Sequence, residues 1–313
     1  MKILKKMFFF LFNIIRWFGI GLITTLSIFP YYIYLGIYCI VSKKKREDVG
    51  FDKPLIPIIM MILSLSVYFV SIFILTRWFV QNERIKRMSD TIMDSYDIDD
   101  DDLDNGQIDN EFADDVISNN DISFIDVNFD NLLNRNPDTV GWIVVNGTYI
   151  NYPIVQSGDN SYYLEHDFNK YGTNVGWIFA DYRSNFESFG YNTIVYGHNL
   201  INKTMFGSLP RVLKKSWYSN KNNQYIKTSS LNSKAVWQVF SVYEIEPVTD
   251  YLKTGFGSES DFYAWEKKMK RRSVYDFNID IEKTDKVITL STCNDVGNKR
   301  VVLHAKLINI EYK

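Results

Sequence analysis

The sequence predicts a mainly β domain, either a closed barrel or a sandwich, that follows apolar helices and an acidic segment. From residue 123 onward, short β-branched and aromatic runs alternate with Gly, Asn and Asp turns. Upstream, two apolar blocks occupy about residues 7–41 and 54–80. Between the blocks and the β-rich part, residues 88–134 contain no Lys or Arg. The charges are therefore segregated along the chain, and the net charge of −2 says little about function.

The two apolar blocks predict a membrane anchor. A span needs about 20 apolar residues, so residues 54–80 fit one helix, whereas residues 7–41 are too long for one span and short for two. The first block is therefore either a tilted helix bent at Pro30 or a tight hairpin. A small-residue cleavage site is lacking after a short apolar core, which favours an anchor over a removed signal. The basic run at residues 43–46 should stay cytoplasmic, so everything after about residue 80 should lie outside the cell.

We divide the chain into a membrane anchor (1–85), an acidic extracellular spacer (86–122) and a β-rich domain (123–313). The spacer does not match a calcium-binding EF-hand, which needs glycine at position 6 and glutamate at position 12. Gly106 at position 6 puts Phe112 at 12, and Glu111 at 12 puts Asn105 at 6. Densely placed like charges resist compaction, so a solvated spacer is favoured over a calcium site.

The β domain begins with a short helix, residues 129–135, which ends before Pro137. A second helix, residues 260–272, has Phe262, Trp265 and Met269 on one side and basic residues on the other. The predicted strands are residues 142–145, 149–155, 177–180, 192–196, 224–228, 235–244, 286–292 and 300–311.

Cys39 and Cys293 are the two cysteines of the chain. Cys39 lies in the first apolar block and is interpreted as a small apolar residue of a membrane helix. An unpaired cysteine in a folded extracellular domain needs an explanation. Cys293 ends an apolar strand where the backbone turns, and His198 directly follows another apolar run. A nearby cationic group lowers a thiol pKa and so produces the nucleophilic thiolate, which makes the two residues a candidate pair.

These motifs together resemble the sortases, the cysteine transpeptidases of Gram-positive cell surfaces. Residues 193–198 read Thr-Ile-Val-Tyr-Gly-His, residues 288–293 read Ile-Thr-Leu-Ser-Thr-Cys, and residues 299–302 read Lys-Arg-Val-Val. The Thr-Leu-Ser-Thr-Cys form, the helix between histidine and cysteine, and the stretches 155–164 and 176–181 resemble class B. The resemblance covers about residues 123–313. It implies a closed eight-stranded sortase-type β-barrel with a few short helices.

The resemblance implies three catalytic residues: His198, Cys293 and Arg300. His198 would protonate a leaving amine, and Arg300 would either stabilise the oxyanion or clamp the substrate backbone. The other histidines are His166, interpreted as part of a surface helix, and His304, interpreted as a packed strand residue. Three histidines and one cysteine do not form a metal set, so we expect no metal and no cofactor.

The resemblance also places six residues along the peptide groove, although Leu164 and Leu252 are equally consistent with core positions. These residues are Asn160, Leu164, Tyr251, Leu252, Ser291 and Thr292. Class B sequences can carry an acidic residue after the cysteine, where this chain has Asn294. That difference could alter the groove rim or the handling of the second substrate.

The expected function is that of a membrane-bound class B-like sortase with its catalytic domain on the extracellular face. It would cleave an Asn-Pro-x-Thr type sorting signal after Thr through a Cys293 thioester. An amine of peptidoglycan, or of its lipid-linked precursor, would then resolve the thioester. Expected partners are surface proteins that carry sorting signals and the lipid bilayer, with no nucleic acid. The alternatives are a pilin-polymerising sortase, disfavoured because the chain lacks an obvious Asp-Pro-x lid motif, a cysteine protease, and a non-enzymatic membrane sensor.

Overall fold

The computed structural model of the protein describes residues 55–94, 123–293 and 299–313. The chain divides into two compact units, Met1–Val80 and Gln81–Lys313. The predicted first apolar block, Cys39 and most of the predicted acidic spacer lie outside the described residues.

A closed β-barrel forms the body of the second unit, with strand order β1-β2-β3-β4-β7-β8-β6-β5. Its strands are β1 Thr139–Val145, β2 Asn151–Val155, β3 Phe179–Ala180, β4 Asn192–His198, β5 Tyr225–Ser230, β6 Ser233–Ile245, β7 Val287–Cys293 and β8 Arg300–Tyr312. Pairing of β1 with β5 closes the barrel, because β1 also pairs with β2 on its other side. The predicted closed eight-stranded barrel is confirmed, and the sandwich alternative is excluded. Within the barrel core, Trp142, Trp177 and Trp237 are completely buried.

Two strands are shorter than the sequence predicts. The predicted strand 149–155 begins at Asn151, because the preceding residues turn around Gly147, whose φ is +69°. The predicted strand 177–180 pairs only at Phe179 and Ala180. Trp177 is instead fixed by bonds outside the ladder, since its backbone N–H donates to the Tyr163 carbonyl (2.9 Å) and its indole N–H to that of Pro153 (3.0 Å).

The described α-helices are α1 Leu55–Asp94, α2 Asp130–Arg135, α3 Lys215–Tyr218 and α4 Glu259–Arg272. The predicted helix 260–272 corresponds to α4. The Ser258 hydroxyl caps its N-terminus by accepting from the Asp261 N–H at 3.2 Å, and acidic residues in the first turn and basic ones in the last complement the helix dipole. Its buried face, Phe262, Trp265 and Met269, forms one apolar cluster with residues of β6, β7 and β8.

Helix α1 changes character along its length. The segment Leu65–Met88 is long and apolar enough to cross a membrane, with a mean hydropathy of 1.2. Many of its large apolar side chains up to Val80 are exposed in the isolated chain. In the second unit, by contrast, Ile85 and Met88 of the same helix are 1% and 6% exposed and belong to the barrel's hydrophobic core cluster.

Candidate active site

Strands β4 and β7 run parallel and end together. Their register pairs Asn192 with Val287 at one end and His198 with Cys293 at the other. Strand ends that follow a rigid, buried ladder hold their residues firmly while leaving them near the surface. The structure thus brings the predicted histidine and cysteine positions side by side in neighbouring strands.

Strand β8 begins at the same end of the sheet. It pairs antiparallel with β7, with Thr289 opposite His304 and Ser291 opposite Val302. Continuing this register by two residues places Arg300 opposite Cys293. The half-buried Arg300 donates from Nη1 to the Thr292 carbonyl at 3.2 Å. The three predicted catalytic positions therefore converge at one end of three adjacent strands.

His198 is only 8% exposed, and its ring is oriented by a backbone carbonyl. Its Nε2 lies 3.0 Å from the Leu164 oxygen. Because a carbonyl oxygen can only accept, Nε2 carries a hydrogen, and in the neutral ring Nδ1 is the basic nitrogen. The predicted groove residue Leu164 thus contacts the site through its backbone, which a prediction from side-chain type cannot detect.

Gly176 makes this arrangement possible. Its φ is +62°, and a Cβ there would lie 2.7 Å from the Leu164 oxygen and 2.9 Å from His198 Cδ2. Any larger residue would displace either the imidazole or the carbonyl that holds it. The stretch 176–181 is part of the family resemblance, but its motif alone gives Gly176 no role.

Two predicted groove residues, Asn160 and Leu252, each contact an ion pair that the sequence did not predict. The pair consists of Asp181 and Arg183. Asp181 is fully buried and receives a two-pronged bond from Arg183, at 2.8 and 2.7 Å. Asn160 donates to the same carboxylate at 2.9 Å, as does the hydroxyl of Tyr196. Arg183 also reaches the Leu252 carbonyl at 3.2 Å. The signal available in the sequence was Asp181 itself, which closes the 176–181 stretch.

The charge on Asp181 is stabilised by these neighbours. Burial opposes ionisation, but hydrogen bonds from Arg183, Tyr196 and Asn160 outweigh it and lower the pKa of Asp181 below its ordinary value. The same carboxylate raises the pKa of Arg183. At neutral pH this side of the site is a fixed ion pair rather than a proton donor.

Tyr251 and Ser291 are also in contact, with their hydroxyl oxygens 3.0 Å apart. Ser291 precedes Cys293 by two residues in β7, so both residues belong to the same face of the strand. Thr292 is buried, and its hydroxyl accepts from the Val301 N–H at 2.9 Å. Thr292 therefore fixes the start of β8, whereas Tyr251 and Ser291 share the face that carries His198.

The remaining histidines differ from each other. His304 is completely buried in β8, in agreement with its interpretation as a packed strand residue. His166 is not in a helix: it forms an isolated bridge with Gly172 and stacks on Tyr162 with ring centroids 4.0 Å apart. The surface-helix interpretation of His166 was wrong, because the local helical turn ends at Leu164.

Within the described residues, no group of three or more His, Cys, Asp and Glu side chains could hold a metal ion. An open pocket of about 530 Å³ lies beside α4. Polar residues of α4, including Lys267 and Arg271, line it together with residues from the segment 273–281. None of the predicted site residues line this pocket.

Comparison with known proteins agrees with this geometry. A family model described as the sortase domain matches residues 143–308. Sortase B of Staphylococcus aureus is 36% identical over 185 residues, which cover 58% of this chain and 75% of that protein. Sortase B of Listeria monocytogenes is 38% identical over 181 residues, 57% of this chain and 73% of the relative.

Solved structures show the same likeness. A Staphylococcus aureus sortase B–substrate complex has a TM-score of 0.55 at 36% identity, covering 58% of this chain and 84% of the other. Clostridium perfringens sortase B has a TM-score of 0.54 at 36% identity, and the match covers 57% of this chain and 98% of the other. Fold and sequence together define a cysteine transpeptidase, and the chain belongs to the sortase family. Within that family it is a class B-like sortase.

Proposed function

We propose that this sortase cleaves a C-terminal sorting signal of the Asn-Pro-x-Thr type after Thr and joins the protein to a peptidoglycan amine. The observation that carries the proposal is the convergence of the His198, Cys293 and Arg300 positions at one end of three adjacent strands. The solved Staphylococcus aureus sortase B–substrate complex supports a substrate site in this fold. A further relative, described as sortase B complexed with triglycine, supports an amine acceptor.

In the first half-reaction, the Cys293 sulfur attacks the carbonyl carbon of the substrate threonine. Negative charge develops on the carbonyl oxygen, and the Arg300 guanidinium would stabilise it more in the transition state than in the ground state. The C–N bond then breaks, and the His198 imidazolium gives its proton to the departing amine. The products are a thioester on Cys293 and the released C-terminal fragment.

In the second half-reaction, an incoming amine attacks the thioester carbon. His198 accepts a proton from this amine, the C–S bond breaks, and the sulfur leaves as the thiolate. Because Leu164 holds Nε2–H, the nitrogen that moves protons in this scheme is Nδ1. Thiolate and imidazolium are regenerated together, so turnover needs no added acid or base.

In this scheme, the peptide groove would be lined or supported by the six predicted groove residues, Asn160, Leu164, Tyr251, Leu252, Ser291 and Thr292. The contacts of Asn160 with Asp181, and of Tyr251 with Ser291, support an ordered groove wall. Membrane anchoring through the part of α1 up to Val80, whose apolar side chains are exposed, is part of the proposal, with the catalytic unit on the outer face of the membrane. The basic run at residues 43–46 supports that orientation.

The test is mass spectrometry of the detergent-solubilised full chain incubated with Asn-Pro-x-Thr peptides, with and without amine. We expect a peptide thioester on Cys293 and, with added amine, a ligated product. Cys293→Ala should abolish both. His198→Ala and Arg300→Ala should lose at least about 10³-fold in kcat/KM, as expected for removal of an acid–base group together with charge stabilisation.

Each variant has a matched control in the chain. Cys39→Ala, His166→Ala and Lys299→Ala change the other cysteine, another histidine and the basic neighbour of Arg300. They should retain near wild-type turnover. Full activity of Arg300→Ala would remove that residue from the mechanism. Hydrolysis without any amine incorporation would identify a protease instead.

A further inference from the structure

A closed ring of contacts, all of them hydrogen bonds except one cation–π contact, links the buried His304 to the loop at residues 250–253. The loop lies between β6 and α4. Its Tyr251 hydroxyl contacts Ser291, two residues before Cys293 in β7. The contacts that hold this loop therefore also hold Tyr251 beside Ser291, next to the catalytic positions.

Three consecutive carbonyl groups of the loop accept hydrogen bonds from side chains. The Asn192 amide nitrogen donates to Tyr251 O at 3.4 Å and to Lys253 O at 2.8 Å. Arg183 donates to Leu252 O at 3.2 Å. Because carbonyl oxygens only accept, the two contacts of Asn192 fix the orientation of its amide: Nδ2 faces the loop and Oδ1 faces the barrel.

The remaining bond directions follow from this one. Asn192 Oδ1 must accept, so the Thr289 hydroxyl donates to it at 2.6 Å. With its hydrogen committed, Thr289 can only accept from His304 Nδ1, 2.8 Å away. A neutral His304 then has a bare Nε2, which accepts from the Tyr243 hydroxyl at 2.8 Å. The Tyr243 oxygen also lies 3.3 Å from the Met269 sulfur, but a thioether is a weak acceptor, so the Tyr243 hydrogen is assigned to His304 and the tautomer of His304 is Nδ1–H.

The other end of the ring returns to the same loop. Arg272 lies over the Tyr243 ring, with its guanidinium carbon 5.7 Å from the ring centroid, and donates to both oxygens of Asp250, at 3.0 and 2.6 Å. Asp250 directly precedes Tyr251. The loop is thus held through its carboxylate at one end and through backbone carbonyls at the other, with His304 in between.

The surroundings of His304 keep it neutral. Its ring is enclosed by Phe240, Tyr243 and Trp265, with centroids 5.5 to 5.9 Å away. Burial, together with the nearby charge of Arg272, lowers the pKa of His304 to about 3 against the opposing effect of Asp250. If His304 were doubly protonated, its Nε2 would carry a hydrogen, and the Tyr243 hydroxyl could no longer donate to it.

We propose that His304 is a positioning residue for the transpeptidation: through Thr289 and Asn192 it holds the 250–253 loop in place as a wall of the peptide groove. The role of the loop in binding the peptide rests on the proposed function. The existence of the ring of contacts does not depend on the proposed function, so the ring and the function can be tested separately. Among the described side chains, the hydrogen bonds of His304 go to Thr289 and Tyr243, and the proposal has it act through the loop.

The experiment compares three variants with the wild-type full chain in detergent. Thr289→Val removes the central hydroxyl at nearly constant volume, and Thr289→Ser retains it. Thr193→Val is the matched control, because Thr193 is an equally buried threonine next to Asn192 whose hydroxyl has no hydrogen-bond partner among the described residues. Hydrogen exchange is measured for the peptide spanning residues 249–255. KM and kcat are measured with the sorting peptide, and Cys293 reactivity with iodoacetamide.

Thr289→Val should speed exchange of the loop at least tenfold and raise KM at least tenfold. Alkylation of Cys293 should stay within twofold of wild type, because iodoacetamide needs no groove. Thr289→Ser and Thr193→Val should behave as wild type. Unchanged exchange in Thr289→Val, or equal effects in Thr289→Val and Thr193→Val, would overturn the proposal. A wild-type chain that fails to cleave the peptide would refute the proposed function, while the exchange data would still decide the role of the ring.

Tyr243→Phe keeps the test decisive if Thr289→Val does not fold. The substitution keeps the aromatic ring beneath Arg272 and removes only the hydroxyl, whose hydrogen-bond partners are His304 and the Met269 sulfur, so the loss reaches the Asn192 contacts through His304. We expect two- to tenfold faster loop exchange in this variant, and wild-type exchange would overturn the proposal. Nitrogen NMR of the chain labelled in its three histidines provides a direct check. His304 should appear as the neutral Nδ1–H form at pH 5, and an Nε2–H form would refute the bond directions.

Discussion

Replacing Glu266 should remove a large pH dependence of stability. Glu266 lies on α4, is completely buried, and neither of its carboxyl oxygens has a hydrogen-bond partner among the described residues. Burial, together with the Asp285 charge and against the opposing charge of Lys306, raises the pKa of Glu266 from 4.5 to about 8. An isolated carboxylate in such a site is costly, so the folded protein keeps the group protonated at neutral pH.

The sign of the effect follows from proton binding. Between about pH 4.5 and 8 the folded chain keeps the Glu266 proton and the unfolded chain loses it. Unfolding then releases a proton, and the free energy of unfolding falls as pH rises. The slope for one proton is about 1.4 kcal/mol per pH unit, so the total loss across this interval is at most about 4–5 kcal/mol. For a domain of this size that is on the order of 10 °C in Tm.

Thermal unfolding followed by tryptophan fluorescence measures this directly, since Trp265 neighbours Glu266. Glu266→Gln should match the wild type near pH 5 and exceed its Tm by up to about 10 °C at pH 8 and above. Glu187→Gln, at an exposed carboxylate, is the control and should follow the wild type throughout. A difference between Glu266→Gln and wild type that stays constant from pH 5 to pH 8.5 would refute a neutral, enclosed carboxyl.

Three further variants test the supports of the site and core. Gly176→Ala should lower kcat at least about tenfold, because its new Cβ displaces the Leu164 carbonyl that orients His198; retained kcat would contradict this. Arg183→Ala should raise KM for the sorting peptide and weaken activity at mildly acidic pH, because the pKa of Asp181 rises once its main cation is removed. A pH profile unchanged from wild type would count against the ion pair. Ile85→Ala should destabilise the protein by about 2–4 kcal/mol, seen as a lower Tm of the tryptophan transition. The exposed neighbour Arg87→Ala should not.

Local patterns in the sequence predicted a mainly β domain, and the family resemblance of its motifs supplied the closed barrel and the three catalytic candidates. Period-2 runs separated by turn residues specify strands wherever they pack, and His198, Cys293 and Arg300 each adjoin such a run. The boundaries of the long strands and of α4 followed for the same reason. The helical status of residues 55–80 also follows from composition alone.

Only the tertiary structure decided how these pieces meet. The parallel register of β4 and β7 joins residues 95 positions apart in the chain, and no local pattern specifies it. The bond from Arg183 to the Leu252 carbonyl, the bond of His198 to the Leu164 carbonyl and the ring through His304 are likewise contacts between distant segments, several of them through the backbone. The sequence defines the chemical type of each side chain. The partner that fixes its charge, tautomer and direction is supplied by packing, because hydrogen bonds depend on distances that exist only after the barrel has closed.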